Sequence, residues 1–149
     1  AFVASEEVMG VFNPGDHGST FGGNPLGAAI GTASLKVLVD EKLADRANEL
    51  GNWFMAELKK IESPNIKDVR GRGLMVCAEF VEPDGSGRPL DRNRVAELDR
   101  LAWERGAIVY ARGHVIRLAP PLCITAAEVD QLVGIVADSI EAMEKAANK

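Results

Sequence analysis

The chain has 149 residues, of which 46% are hydrophobic and 26% charged, and its formal net charge is −5. These values are typical of a globular domain with an ordinary core, and they offer no basic stripe for nucleic acid. No apolar run is long enough to cross a bilayer, and no pattern typical of a secretory leader is present. We therefore expect a cytoplasmic protein with neither a nucleic-acid nor a membrane partner.

The cysteines and histidines predict no metal site. Cys77 and Cys123 lie in apolar surroundings without metal-ligand spacing, and His17 and His114 lie in polar loops. We expect both thiols to be reduced and buried, as is usual for free cysteines in a cytoplasmic protein.

The first distinctive stretch follows a short helix predicted after Ser5. Residues 13–25 read NPGDHGSTFGGNP, with four glycines and two prolines in thirteen residues, which excludes a regular helix or strand. Ser19 and Thr20 lie within it, just ahead of a helix that Asn24 would cap. Hydroxyls and N–H groups here suit a phosphate. From the residues alone, an anion site and a tight turn both remain open.

Two helices are predicted next. Residues 26–39 are mostly small and apolar, which favours close packing, so we expect this helix to be buried. Asp40 is expected to cap the following helix, in which apolar residues recur with helical period as far as Ile61.

Strands enter the pattern at Ile66. Strands are predicted over residues 66–70, 74–81, 108–111 and 115–118, with a helix between Asp91 and Gly106. Thr125 and Glu128 have the spacing of a capping box and open a last amphipathic helix. We therefore predict an α/β or α+β domain in which helices pack on a small mixed or antiparallel sheet.

Arg117 is the second candidate functional residue. It lies in VIRLAPP, where a permanent charge interrupts an apolar strand. A buried arginine needs a partner, and its planar fork suits a carboxylate, but strand alternation is equally compatible with a solvent-facing side chain. Arg70 and Arg72 flank Gly71 and suit either an anion or structural ion pairs.

Four stretches resemble class III aminotransferases, which depend on pyridoxal phosphate. They are HGSTFGGNP (residues 17–25), VRGRGLM (residues 69–75), the strand–helix–strand up to Ala111, and VIRLAPPL (residues 115–122). Within the family, the chain is most similar to ornithine aminotransferases and next to acetylornithine aminotransferases. The resemblance spans nearly the whole chain and implies a C-terminal portion of a fold-type I enzyme.

The resemblance implies roles for three residues. Thr20 matches the threonine that binds the cofactor phosphate in the neighbouring subunit of a homodimer, and Ser19 matches an adjacent position that helps to hold cofactor or substrate. Arg117 matches the arginine that takes the substrate α-carboxylate. Residues 1–40 would be the end of the large cofactor-binding domain, with its glycine loop and buried helix. Residues 41–149 would form the small C-terminal domain.

The same resemblance implies transfer of an amino group from ornithine, or a similar basic amino acid, to 2-oxoglutarate. No lysine of the chain matches the one that carries the cofactor, so we expect no catalytic residue here and an inactive chain in isolation. The alternatives are a portion of an acetylornithine or 4-aminobutyrate transaminase, and a non-catalytic fragment or subunit that needs a separate N-terminal chain. Ser19 favours a transaminase over the related aminomutases, which usually show Ala-Gly-Thr at this loop.

Overall fold

A computed structural model of the chain describes residues 4–13 and 15–147. The chain divides into two compact units, Ala1–Asp40 and Glu41–Lys149. Within the described residues, no helix has the length and apolar character needed to cross a membrane.

The first unit contains two helices joined by the glycine-rich loop. Helix α1 spans Glu6–Met9 and helix α2 spans Pro25–Asp40. The Asn24 side-chain oxygen accepts a hydrogen bond from Gly27 N at 2.7 Å, which confirms the predicted cap. Pro25 occupies the first helical position, where a missing N–H leaves no bond unmade.

Helix α2 is exposed along its whole length, so the prediction of a buried helix is wrong for this chain. None of its sixteen residues is buried, and Ile30 and Leu35 expose 58% and 64% of their surface. Small apolar residues permit close packing but need a surface to pack against. Within the described part of the first unit, the other helix has four residues and cannot supply one.

The second unit confirms the predicted fold class of helices on a small antiparallel sheet. Its strands form one sheet in the order β1-β2-β4-β3, and each neighbouring pair is antiparallel. The elements in chain order are α3 (Leu43–Leu58), β1 (Ile66–Arg72), β2 (Met75–Phe80), α4 (Arg92–Glu104), β3 (Tyr110–Arg112), β4 (Val115–Leu118) and α5 (Ala126–Ala147).

Two of the three predicted helix starts in this unit are confirmed. Asp91 accepts a hydrogen bond from Asn93 N at 2.8 Å at the start of α4. Before α5, Thr125 N donates to the Glu128 carboxylate at 2.7 Å and Glu128 N donates to the Thr125 hydroxyl at 3.2 Å. This reciprocal pair is the predicted capping box, and its hydrogen bonds hold the pKa of Glu128 below its usual value.

The predicted cap of α3 at Asp40 is wrong. Helix α3 begins at Leu43, after Lys42 in a left-handed conformation (φ 49°) and without a side-chain cap. The Asp40 carboxylate instead accepts a hydrogen bond from Lys36 at 2.5 Å, one helical turn earlier in α2. Asp40 therefore closes α2, where i,i+4 pairing engages its charge.

Helices α3, α4 and α5 cover one face of the sheet. The core joins large side chains from these helices to the inward-facing residues of the strands, among them Phe54, Val76, Ile116 and Met143. Helix α3 approaches the β1–β2 turn so closely that a Cβ added at Gly51 would lie 2.0 Å from Gly73 O. The opposite face of the sheet carries the polar side chains described next.

Candidate functional site

The open face of the sheet brings Arg117 together with residues from three other strands. In the antiparallel register, Cys77 lies opposite Arg70 on one side and opposite Arg117 on the other, and Arg117 lies opposite Tyr110. Residues in register share a face. Since Ile116 and Leu118 point into the core, this row faces away from the helices.

Arg117 is exposed, and its guanidinium stacks on the ring of Tyr110. The guanidinium carbon lies 4.8 Å from the ring centroid, within the range of a cation–π interaction. Among residues 4–13 and 15–147, no carboxylate lies within ion-pair distance of Arg117. Of the two orientations that the sequence left open, the structure shows the solvent-facing one, with the charge unneutralised.

Arg70, in the same row, lies in a dense ionic cluster. It donates to Asp68 at 3.0 Å and to Glu79 at 2.7 Å, and Lys67 also donates to Glu79 at 2.7 Å. The hydrogen bond from Lys67, followed by that from Arg70, lowers the pKa of Glu79 to about 2, while the two carboxylates raise the pKa of Arg70. The charge of Arg70 is therefore neutralised by neighbouring carboxylates, whereas the charge of Arg117 is not.

An open depression of about 910 Å³ surrounds Arg117. Arg72 and Arg112 also line it, while Met75 and Tyr110 contribute apolar surface. Neither Arg72 nor Arg112 pairs with a carboxylate in the described part of the chain. A positively charged surface with apolar side chains between the cations suits a small organic anion.

The prediction of two buried thiols is wrong. Cys77 is partly exposed in the wall of this depression, and Cys123 is exposed in the segment after β4. Apolar sequence neighbours did not bury Cys77 because strand alternation places it on the open face, whereas Val76 and Ala78 beside it point into the core.

The glycine-rich loop presents the second candidate group, in the first unit. Ser19 and Thr20 are exposed, and a turn follows in which Gly22 N donates to Ser19 O at 3.2 Å. The Asn24 amide donates to Phe21 O at 2.6 Å, which fixes the loop against the start of α2. Neither hydroxyl has a hydrogen-bond partner among the described residues, so both can accept an external one.

The loop therefore has the donor groups that a phosphate requires. Two hydroxyls precede the N-terminus of α2, where the helix dipole favours an anion. Thr20 and Arg117 belong to different compact units. Ser19 and Thr20 therefore lie together in the first unit, and Arg117 lies with Tyr110 in the second.

Two residues with defined contacts were missed in the sequence. Tyr110 becomes significant only through its register with Arg117, and a three-residue strand gives no register signal. Arg46, on α3, donates to the carbonyls of Leu122 at 2.7 Å and Ile124 at 2.5 Å, in the segment after β4. Its position on the polar side of a helical pattern predicted an ordinary surface residue.

Comparison with known proteins identifies the family. The family described as Aminotransferase class-III matches residues 1–140. Ornithine aminotransferase of Bacillus subtilis (strain 168) is 50% identical over 128 residues, covering 86% of this chain and 29% of the relative. Ornithine aminotransferase of Staphylococcus carnosus (strain TM300) is 47% identical over 147 residues, covering 97% of this chain and 32% of the relative. The chain thus spans about a third of the length of these curated relatives.

Solved structures agree with the sequence comparison. Ornithine aminotransferase from Plasmodium yoelii superposes with a TM-score of 0.76 at 36% identity, covering 95% of this chain and 36% of that one. Acetylornithine aminotransferase from Elizabethkingia anophelis gives a TM-score of 0.74 at 39% identity, covering 94% of this chain and 34% of that one. Folds and sequences agree over nearly all of the chain, which belongs to the class-III aminotransferase family.

Proposed function

We propose that the chain is a portion of an aminotransferase that moves the amino group of ornithine, or a similar basic amino acid, to 2-oxoglutarate by means of pyridoxal phosphate. The curated relatives named above support ornithine as the donor. The observation that carries the proposal is the state of Arg117, a fixed cation that no carboxylate of the described chain neutralises.

In this proposal Arg117 binds the carboxylate shared by the amino-acid and oxo-acid substrates. A guanidinium presents parallel N–H donors that match both oxygens of a carboxylate, so one residue fixes the position and the orientation of the substrate. That orientation is the contribution expected of a binding residue in a two-substrate transfer. Arg70 is the poorer candidate because Asp68 and Glu79 already neutralise its charge through Nη1.

The glycine-rich loop fits the cofactor's phosphate. When bound, pyridoxal phosphate would supply an electron sink that stabilises negative charge at the substrate carbon bearing the transferred amino group. Thr20 and Ser19 would donate their hydroxyls to the phosphate, beside the N-terminus of α2. We further propose that Thr20 serves the cofactor of a neighbouring subunit in a homodimer, and that Ser19 also helps to hold substrate.

The remaining assignments belong to the same proposal. Residues 1–40 would end a large cofactor-binding domain, and residues 41–149 would form the small domain at the C-terminal end of the enzyme. The lysine that carries the cofactor would come from outside this chain, which alone would be inactive. A cytoplasmic location stays a prediction.

Acetylornithine is the second candidate donor. The acetylornithine aminotransferase from Elizabethkingia anophelis matches the chain at 39% identity. The resemblance to that branch also implies a substrate-holding role for Ser19. Rates with ornithine, N-acetylornithine and 4-aminobutyrate would separate these donors.

Substitution of Arg117 tests the carboxylate role in the full-length enzyme. We expect Arg117→Gln to raise the KM for 2-oxoglutarate about 10- to 100-fold, since hydrogen bonds to charged groups contribute about 1.5–3 kcal/mol. Arg88→Gln is the matched control, because Arg88 is exposed and pairs with Asp84 on a surface turn. An unchanged KM in Arg117→Gln, or an equal rise in the control, would contradict the proposal.

A further inference from the structure

The register of the sheet pairs Tyr110 with Arg117. They lie directly opposite each other on the antiparallel strands β3 and β4. The ring and the guanidinium are in contact at 4.8 Å on the open face. Tyr110 is 50% exposed, and its hydroxyl has no hydrogen-bond partner among the described residues, so the contact is made by the ring.

This contact orders Arg117 without neutralising it. A carboxylate partner would hold the guanidinium but would also neutralise its charge, as Asp68 and Glu79 do at Nη1 of Arg70. An aromatic face attracts the cation through its quadrupole and leaves the N–H groups at the guanidinium edge unpaired. The face of the guanidinium is covered while its edge stays available to a planar anion.

Ordering matters because an unrestrained arginine samples many rotamers. That freedom is lost when a carboxylate binds, and a side chain already held in place loses less of it. A stacked arginine therefore binds its anion more tightly than a free one, although the ring itself makes no hydrogen bond to the ligand.

We propose that Tyr110 is a positioning residue for Arg117, holding its guanidinium in the orientation that receives the substrate carboxylate. This inference rests on the proposed carboxylate role of Arg117. Tyr110 acts on Arg117 through its ring face alone, and the property that it changes is the affinity for substrate.

A double-mutant cycle in the full-length enzyme tests this role. We expect Tyr110→Leu to raise the KM for 2-oxoglutarate about two- to fivefold, the factor that matches the 0.5–1 kcal/mol of an exposed cation–π pair, with kcat unchanged. In an Arg117→Gln background the same substitution should have no effect. Tyr110→Phe, which keeps the ring, should leave the KM at its wild-type value. Trp103→Leu, an exposed aromatic position on α4, is the control.

The outcomes separate the two proposals. If Arg117→Gln leaves the KM unchanged, the carboxylate role is wrong and the role of Tyr110 falls with it. If Arg117→Gln raises the KM but Tyr110→Leu does not, or acts equally in both backgrounds, the positioning role alone is wrong. A rise in KM in Tyr110→Phe as large as that in Tyr110→Leu would show that the hydroxyl, and not the ring, is responsible. A fall in kcat without a change in KM would also overturn the inference.

Discussion

Helices α2 and α3 have sixteen residues each, yet α2 buries none of them and α3 buries five. Helix α2 has the more apolar composition, but its apolar residues lie all round it. In α3 they recur with helical period and form one stripe. The comparison shows that burial depends on a defined apolar face and a surface to receive it, and composition supplies neither.

The largest expected effect contrasts Phe54 with Ile30. Phe54 is fully buried in α3 and Ile30 is 58% exposed in α2. We expect Phe54→Ala to lower the free energy of unfolding by about 3–5 kcal/mol, because it removes apolar contacts and leaves a cavity. Ile30→Ala should change it by less than about 0.5 kcal/mol. Chemical denaturation followed by circular dichroism measures both.

A cost for Ile30→Ala approaching that of Phe54→Ala would contradict this comparison. It would mean that α2 is covered when the chain is in solution.

A matched pair of glycines sharpens the same contrast, with effects of opposite sign. A Cβ at Gly51 would collide with the backbone of Gly73, whereas a Cβ at Gly31 would meet nothing within 4 Å. We expect Gly51→Ala to destabilise the second unit by about 1–3 kcal/mol. Gly31→Ala should stabilise α2 by up to about 1 kcal/mol, since alanine is the better helix former.

Denaturation curves give the first of these values, and the helical signal before the transition reports the second. If both substitutions stabilised the chain, the close approach of α3 to the β1–β2 turn would be refuted.

The smallest expected effect concerns pH and the ionic cluster on the second unit. The pKa of Glu79 is lowered from 4.5 to about 2 by hydrogen bonds from Lys67 and Arg70. A carboxyl group with a depressed folded-state pKa contributes stability above its unfolded pKa and loses it as pH falls through the folded value. The stability difference between wild type and Glu79→Gln should therefore be constant above about pH 5 and shrink towards pH 2.

Denaturation at a series of pH values measures that difference. A stability difference between wild type and Glu79→Gln that grew on acidification would have the wrong sign for a depressed pKa. Lys36→Gln in α2 is a suitable control, because its pair with Asp40 lies in the first unit and is well exposed.

Local signals predicted the fold well. Helix caps at Asn24, Asp91 and Thr125 depend on side chains close in sequence, and all three form as predicted. Asp40 does not cap α3 because it is the last residue of α2, where it pairs with Lys36, and α3 begins only at Leu43. The exposure of α2 was missed because a small-residue pattern indicates tolerance of close packing and carries no information about a partner surface.

The candidate site was predicted less completely, for a physical reason. Arg117 stood out because a permanent charge in an apolar strand is unusual, but its orientation depended on which neighbours of the strand enter the core. Tyr110 and Cys77 acquire their places only from the register of β3 and β2 against β4. Register is a long-range property that short strands do not encode locally.

The hydrogen bonds from Arg46 to Leu122 and Ile124 affect local unfolding of the segment after β4. Pro120 and Pro121 follow the end of β4 at Leu118 and lack the N–H groups that would let this stretch join a sheet. The guanidinium of Arg46 donates hydrogen bonds to two carbonyls of this segment, as a neighbouring strand would in a sheet. This irregular segment should therefore resist local unfolding together with α3. Slow exchange of the Ile124 amide, which donates to Pro121 O at 3.0 Å, would then report the stability of the helix rather than that of a loop.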